Sequence, residues 1–317
     1  MCTQRIGRDV ILIWLLCSGV AQAQPTGTYE PKFSYVKPEE AQGTTRVEWK
    51  AAASAGLSYA AGNANMLTLS GGGNLSRNDG KNKIALQVEG IYGLTWLRQL
   101  GDLNGNGVID ADDEVVQVQQ TTAGFLLGTF RYDRFFTPRN TLYITTFAGL
   151  DWPASKQALV GLQAGYGRLL VKTKAHELLG EAGIDYGYTN YRAPDPIPDA
   201  FVEHVHLGAA RLFVGYNVTI RDNTTLASSL EALINLNPAT IGDRAVGPAQ
   251  ATRLNGKVSL TTQLWKKLNL RAAFGLRYDH TPGLNTQLKF AQSYTGPLRY
   301  NQPLDMLTEL SLVVTFL

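Results

Sequence analysis

The C-terminal stretch, residues 305–317, alternates between apolar and polar side chains. Successive side chains of a β-strand point to opposite faces. One face therefore carries Met306, Leu310, Leu312, Val314 and Phe316, and the other carries Glu309, Ser311 and Thr315. A soluble sandwich rarely ends on such a strand without an element that covers it. A barrel in lipid needs this arrangement, with apolar side chains outward, polar side chains inward and a last strand that pairs with the first.

The same alternation recurs along most of the chain. Residues 47–59 place Trp49 and Tyr59 ten positions apart on their apolar face, a spacing of roughly 25 Å along a tilted strand, which is the height of the apolar band of a membrane barrel. The clearest alternation lies in residues 253–264 and 268–279. Counting all segments gives about twelve strands, an even number that returns the chain to its starting side.

The connections between these segments alternate in length. Short turns, such as residues 221–223 and 265–267, alternate with long loops, as in outer-membrane barrels. All 13 prolines lie in the N-terminal arm or in connections, as strand hydrogen bonding requires. The sequence therefore predicts an all-β fold, a transmembrane antiparallel up-and-down β-barrel. The alternative, a soluble sandwich or jelly roll, explains the alternation but not the aromatic spacing or the loop asymmetry.

The N-terminus predicts export. Residues 1–23 have the pattern of a signal peptide, with Arg5 and Arg8 before an apolar run and Ala21-Gln22-Ala23 as the cleavage site. Residues 24–45 are expected to form a periplasmic arm, and residues 46–317 the barrel. The two cysteines, Cys2 and Cys17, lie in the signal, so the mature chain is expected to lack thiols. A lipoprotein anchored at Cys17 is the alternative, although Leu16 is not the small residue expected before it.

Composition fits a bacterial outer-membrane protein. Charged residues make up 17% of the chain, below the roughly 25% of soluble domains. The formal net charge of +3, without a basic tract, gives no indication of nucleic-acid binding. The expected partners are outer-membrane lipid and the barrel-assembly machinery, and the expected state is a monomer.

Several short segments resemble those of one family: Trp49-Lys50-Ala51 with residues 56–65, residues 130–135, residues 165–168 and residues 312–316. On these segments the chain is similar to the YdiY-like family, whose members are often described as salt-induced outer-membrane proteins of poorly defined function. The resemblance implies an outer-membrane β-barrel and no specific activity. Two features depart from it, the final Leu317 in place of an aromatic residue and the insert at residues 102–114.

The insert at residues 102–114 has the spacing of a calcium-binding loop. Oxygen donors occupy positions 1, 3, 5 and 9, a glycine occupies position 6, and position 12 is an aspartate, as in dockerin modules. The predicted calcium ligands are Asp102, Asn104, Asn106, the backbone carbonyl of Val108, Asp110 and Asp113. Its flanks are loop and strand, so an ion would brace a surface loop. The alternative is an Asp-rich turn that holds no ion.

The inward positions of the strands carry charges of both signs. They are Glu48, Lys50, Glu89, Arg131, Asp133, Glu181, Asp185, Arg211, Glu231, Arg253, Lys257, Arg271, Arg277, Asp279 and Glu309. Glu309 on the last strand is expected to face Lys50 on the first. Four of the cations, Arg253, Lys257, Arg271 and Arg277, cluster on two neighbouring strands. Because twelve strands lie between the eight of a filled barrel and the sixteen or more of an open channel, the lumen is either a narrow polar pore or a salt-bridged plug.

Three functions remain open at this point. The first is a narrow pore or passive envelope component, and the second is a closed-lumen barrel whose loops bind a surface partner. The third is a hydrolase at the barrel rim, because His204, His206 and His280 lie near predicted strand ends. No serine motif accompanies these histidines, so the sequence favours a protein without catalytic activity.

Overall fold

A computed structural model describes residues 47–60, 64–101, 114–152, 154–192, 201–283 and 300–316. The predicted signal peptide, the N-terminal arm and the predicted calcium loop lie outside the described residues. The described residues form fourteen strands: β1 (Glu48–Ala60), β2 (Ala64–Asn78), β3 (Asn82–Gly101), β4 (Glu114–Thr137), β5 (Asn140–Asp151), β6 (Lys156–Lys172), β7 (His176–Tyr191), β8 (His204–Arg221), β9 (Thr224–Asn235), β10 (Ala239–Ile241), β11 (Arg244–Val246), β12 (Arg253–Trp265), β13 (Leu268–Asp279) and β14 (Leu304–Thr315).

Twelve of these strands close into one antiparallel barrel. Its order is β1-β14-β13-β12-β9-β8-β7-β6-β5-β4-β3-β2, so each strand pairs with its neighbours in sequence, and the last pairs with the first. This confirms the predicted fold, an up-and-down barrel. No helix among the described residues is long and apolar enough to cross a membrane.

The two ends of the barrel differ. At one end, called the turn end here, the links after β2, β4, β6, β8 and β12 are two or three residues long. At the other, the loop end, the links after β3, β7, β9 and β13 are long. In the turn after β2, the backbone N–H groups of Lys81 and Asn82 donate to Asp79. Partial burial raises the pKa of Asp79, but these hydrogen bonds outweigh it and hold the pKa below its usual value.

The outer wall is apolar with aromatic bands at both ends, as a lipid-facing surface requires. The middle of the wall is mainly aliphatic, with Leu86, Leu162, Leu212 and Leu230 exposed beside Phe130 and Phe274. Trp49 is outward as predicted, and the side chain of Tyr59 lies outside the described residues. Further exposed aromatic residues include Trp49, Phe136, Tyr166, Trp265 and Phe316 toward the turn end and Tyr92, Trp152 and Tyr186 toward the loop end.

The structure adds three features that the sequence pattern did not give. The facing of β5, which alternation left open because both faces are apolar, has Leu142 and Ile144 outward and Tyr143 inward. The strand before the insert, β3, continues to Gly101. The loop after β9 contains an unpredicted hairpin, β10–β11, whose three-residue strands are too short to show alternation.

Candidate functional site

The lumen is filled by a network of ion pairs centred on Arg211, whose side chain is fully buried. Arg211 on β8 donates through Nε to Glu231 Oε1 at 2.6 Å and through Nη1 to Glu181 Oε2 at 2.7 Å. The same Nη1 donates to the hydroxyl of Tyr143 at 2.8 Å. Removal from water is costly for a guanidinium, and two carboxylates and a hydroxyl offset that cost here.

A second arginine extends this network to β4. Arg131 donates to Glu181 at 2.8 Å through Nη2, and it holds Asp133 with Nε and Nη2 at 2.7–3.0 Å. Its guanidinium also lies over the Tyr143 ring, 4.3 Å from the ring centre. Glu181 on β7 thus joins arginines on β4 and β8, strands that lie four positions apart in the ring of twelve.

Two glycines make room for Tyr143. In the strand register, Tyr143 on β5 lies opposite Gly165 on β6, Gly165 opposite Gly183 on β7, and Gly183 opposite Arg211. A Cβ on Gly165 would lie 2.6 Å from the Tyr143 hydroxyl, and one on Gly183 would lie 2.8 Å from it. The tyrosine therefore spans two strands without side chains at this row to reach Arg211.

Further ion pairs cross the lumen toward the loop end. Arg253 on β12 donates to Asp185 on β7 at 3.0 Å, and Gln163 donates to the other oxygen of that carboxylate at 2.9 Å. Arg277 on β13 donates to Asp151 at the end of β5 at 3.3 Å. Because β13 and β5 lie six positions apart in the ring of twelve strands, this last contact spans the diameter of the barrel.

The loops add an apolar cluster above these ion pairs. Tyr191, Val205 and Leu207 point inward at the loop end of β7 and β8, and the β10–β11 hairpin packs Ile241 and Val246 against them. Elsewhere in the loops, the Arg244 guanidinium stacks 3.3 Å from the centre of the Tyr300 ring. The mouth of the barrel is thus covered on its β7–β8 side by a small hydrophobic core.

The predicted lumen charges occupy different environments. Most are buried in the ion pairs just described: Arg131, Asp133, Glu181, Asp185, Arg211, Glu231, Arg253 and Arg277. A cavity of about 40 Å³ beside β1 is lined by four more of them: Glu89, Lys257, Arg271 and Glu309. Glu48 and Lys50 form an exposed pair at the turn end, 2.9 Å apart. Glu309 lies 3.6 Å from Arg271. The expectation that Glu309 faces Lys50 is wrong, because the register of β1 with β14 separates Lys50 and Glu309 along the barrel.

Three residues of the site were missed by the sequence reading. Tyr143 and Asp151 lie on β5, where apolar residues on both faces conceal which face is inward. Gln163 lies on the inward face of β6, but it is uncharged and was not among the predicted lumen charges. The rows of glycine at Gly165 and Gly183 were the available signal, because paired glycines on adjacent strands mark a place where a large side chain lies across the sheet.

The three histidines near predicted strand ends are each hydrogen-bonded to a tyrosine. His204 and His206 are exposed on the outer wall, where their Nδ1 atoms hydrogen-bond to the hydroxyls of Tyr188 and Tyr186 at 2.9 and 2.7 Å. His280 is exposed and hydrogen-bonded to Tyr278. Among the described residues, no group of three or more histidine, cysteine, aspartate or glutamate side chains could hold a metal ion. The predicted calcium ligands lie outside those residues.

A closed barrel with an apolar wall and a charged interior defines an outer-membrane-type β-barrel. The family model described as "Protein of unknown function, DUF481" matches residues 53–295. The chain therefore belongs to this family, which is the YdiY-like family that the sequence motifs resemble. No curated protein matches the chain.

Among solved structures, similar ones are bacterial outer-membrane barrels at low identity. The COG4313 outer membrane channel from Pseudomonas putida F1 is 12% identical with a TM-score of 0.43, over 91% of this chain and 100% of that chain. The translocator domain of the autotransporter NalP from Neisseria meningitidis is 10% identical with a TM-score of 0.39, over 87% of this chain and 90% of that chain. OmpT, an outer membrane protein of Vibrio cholerae, is 7% identical with a TM-score of 0.36, over 85% and 97%.

Proposed function

We propose that this protein is a monomeric bacterial outer-membrane barrel that does not conduct along its axis and that acts through its loop end and its lipid-facing wall. The supporting observation is the Arg277–Asp151 pair across the barrel diameter, with the Arg131–Glu181–Arg211–Glu231 network below it. The turn end would face the periplasm and the loop end the exterior, the usual orientation of such barrels. Lipid and the barrel-assembly machinery are its partners.

The charge pattern supports a plug rather than a pore. A water-filled channel would leave its lining charges hydrated, yet the side chains of Arg211 and Glu181 are both fully buried. The cations of β12 and β13 are neutralised by partners on other strands, as Arg253 is by Asp185. The cavity that touches Asp185 and Arg277 has about 70 Å³, room for only a few water molecules. A hydrated ion would need these pairs to separate.

A narrow pore is the second candidate. It is favoured by the second, smaller cavity, of about 40 Å³, which lies beside β1 and β2 and is lined by charges of both signs. Small residues line part of this cavity, including Ser54, Ser70 and Gly72, so its wall leaves room beside the charged side chains.

Planar-bilayer recording separates the two candidates. The purified, refolded protein is expected to give no single-channel steps, because the ion pairs and the loop cluster block the axis. The same preparation should migrate differently in gels before and after heating, which establishes that silent protein is folded. A general porin in the same bilayer checks that insertion is detected. Reproducible conductance steps from the folded protein would contradict the closed lumen and favour the narrow pore.

The insert at residues 102–114 is proposed to bind calcium and so to brace an external loop. Affinity is expected in the range of roughly 10⁻⁴ to 10⁻³ M that is typical of extracellular modules. Calorimetry on the refolded barrel should show calcium heat that Asp102→Ala abolishes. Asp79→Ala, which removes a carboxylate from a turn at the opposite end, is the matched control and should leave that heat unchanged. Absence of heat at millimolar calcium would contradict the site.

A further inference from the structure

The turn end of the barrel carries a group of three exposed arginines, called the basic patch here. Arg134 lies near the end of β4, Arg139 in the turn that follows, and Arg168 on β6. None of their guanidinium groups forms an ion pair with a described carboxylate. The adjacent acidic residue, Asp133, points into the lumen and is held there by Arg131. The basic patch therefore presents a net positive charge at the edge of the lipid-facing wall.

The strand register places the basic patch around an exposed aromatic pair. Arg134 lies opposite Leu142 on β5, and Leu142 lies opposite Tyr166 on β6. Two residues nearer the turn end, Phe136 follows on β4 and Arg168 on β6. The rings of Phe136 and Tyr166 are 6.2 Å apart between their centres. This aromatic pair therefore crosses the wall between Arg134 and Arg168.

The guanidinium groups of the basic patch keep hydrogen-bond donors for a ligand. Arg134 donates through Nη1 to the amide oxygen of Asn82 at 2.7 Å, which leaves its other guanidinium nitrogens without a described acceptor. Arg139 and Arg168 make no side-chain hydrogen bond to a described residue. A guanidinium presents paired N–H donors that match the oxygens of a phosphate. The available donors and the positive charge both favour a phosphate ligand.

Apolar surface continues from the basic patch into the middle of the wall. Phe136 and Leu142 are each 55% exposed, and Ile144, two residues further along β5, is 51% exposed. A soluble anion would leave this surface uncovered. An amphiphile with an anionic headgroup covers both parts, because its phosphate meets the arginines while its chains lie along the aliphatic residues.

We propose that the basic patch binds an anionic phospholipid of the leaflet at the turn end. The phosphate lies against Arg134, Arg139 and Arg168, and the chains run along Leu142 and Ile144. A zwitterionic phospholipid binds less well, because its ammonium group adds a positive charge to a surface that already carries three. The site rests on the proposed insertion of the barrel in the outer membrane, and it does not depend on whether the axis conducts.

The experiment measures which phospholipid lies beside Ile144. The chain from Gln24 onward contains no cysteine, so Ile144→Cys allows one fluorophore to be attached next to the site. The barrel is refolded into phosphatidylcholine vesicles that contain a fixed fraction of a quencher lipid, either phosphatidylglycerol or phosphatidylcholine with a nitroxide near the headgroup end of one chain. Phosphatidylglycerol should be preferred by roughly tenfold, since each basic residue near an anionic lipid surface contributes about 1 kcal/mol.

The test variant removes the charge of the basic patch through Arg134→Gln, Arg139→Gln and Arg168→Gln. Quenching by the two lipids should then be equal within about twofold, because the phosphate loses its three cationic partners. Lysine at the same three positions keeps the charge and should keep most of the preference. Heat-modifiable gel mobility establishes for each variant that the barrel is folded.

A matched control removes three exposed cations from other turns, through Arg221→Gln, Lys266→Gln and Lys267→Gln. It lowers the net charge of the turn end by the same amount as the test variant. The preference for phosphatidylglycerol beside residue 144 should persist, because the basic patch is intact. Both leaflets of the vesicles have the same composition, so the direction of insertion does not affect the comparison.

Four results would overturn the proposal. Equal quenching by both lipids in the folded parent protein means that the wall holds ordinary surrounding lipid. Loss of preference in the control as well as in the test variant means that the general charge of the turn end attracts the lipid. Displacement of phosphatidylglycerol by soluble polyglutamate means that the basic patch takes an acidic protein. Absence of quenching by either lipid contradicts membrane insertion, and therefore the proposed function together with the site.

Discussion

Arg211→Ala is expected to lower the free energy of unfolding by about 3–5 kcal/mol. The substitution removes the cation shared by Glu181 and Glu231 and leaves the two buried carboxylates without it. Glu181 keeps Arg131, but Glu231 keeps only the side-chain amide of Asn255, at 3.0 Å. The measurement is urea unfolding of the refolded barrel in detergent micelles, followed by tryptophan fluorescence and by heat-modifiable gel mobility.

Lys50→Ala is the control for this experiment. It also removes the cation of an ion pair, but its partner Glu48 is exposed, and Lys50 itself is 47% exposed. Exposed pairs contribute about 0–1 kcal/mol, so the unfolding midpoint should hardly move. The double variant Arg211→Met with Glu231→Gln should recover part of the lost free energy of unfolding, because it removes the Glu231 carboxylate together with the Arg211 cation that neutralised it. A change below about 1 kcal/mol for Arg211→Ala would show that the network contributes little to stability.

Gly183→Ala is expected to destabilise the barrel by about 1–3 kcal/mol or more, as overpacking of a filled interior does. The added methyl would lie 2.8 Å from the Tyr143 hydroxyl and against the backbone carbonyl oxygen of Ala164. Either the tyrosine leaves Arg211 or the β6–β7 pairing distorts. The result can be read from the same urea titration and from the fraction of protein that refolds.

Gly187→Ala provides a matched control on the same strand. Gly187 also points into the barrel, four residues further along β7, yet nothing lies within 4 Å of an added Cβ. Alanine at position 187 should leave the free energy of unfolding unchanged or raise it slightly, because alanine lowers the conformational entropy of the unfolded chain. Equal destabilisation by both substitutions would mean that β7 resists any side chain, rather than that Tyr143 requires the space at Gly183.

The alternation of β12, β13 and β14 was sufficient to predict their facing. Outward Val258, Phe274 and Leu310 and inward Lys257, Arg271 and Glu309 are found on the predicted sides. The pattern is legible there because lipid and lumen impose opposite chemistry on alternate residues. It failed on β5, where Tyr143 and Phe147 point into the lumen and only the last residue, Asp151, is charged, so both faces of the strand appear apolar.

The partners of the lumen charges could not be predicted in the same way. Arg277 and Asp151 are 126 residues apart in sequence, and nothing near either residue indicates the other. Their contact depends on the number of strands and on the stagger between them, which together fix the residues that meet across the barrel. The expectation that Glu309 faces Lys50 was wrong for the same reason. The register of β1 with β14 separates these two residues along the barrel, and Glu309 pairs instead with Arg271 on β13.

The sequence by itself determined that this chain is a barrel with an apolar wall, short turns at one end and a charged interior. These properties are local, because each follows from the alternation of neighbouring residues and from the residues that turns require. Only the tertiary structure decided that the charges meet in pairs across the lumen, that Tyr143 passes over Gly165 and Gly183, and that the last strand pairs with the first at Leu312–Thr315. Those properties depend on register and closure, which the chain acquires only when all twelve strands are together.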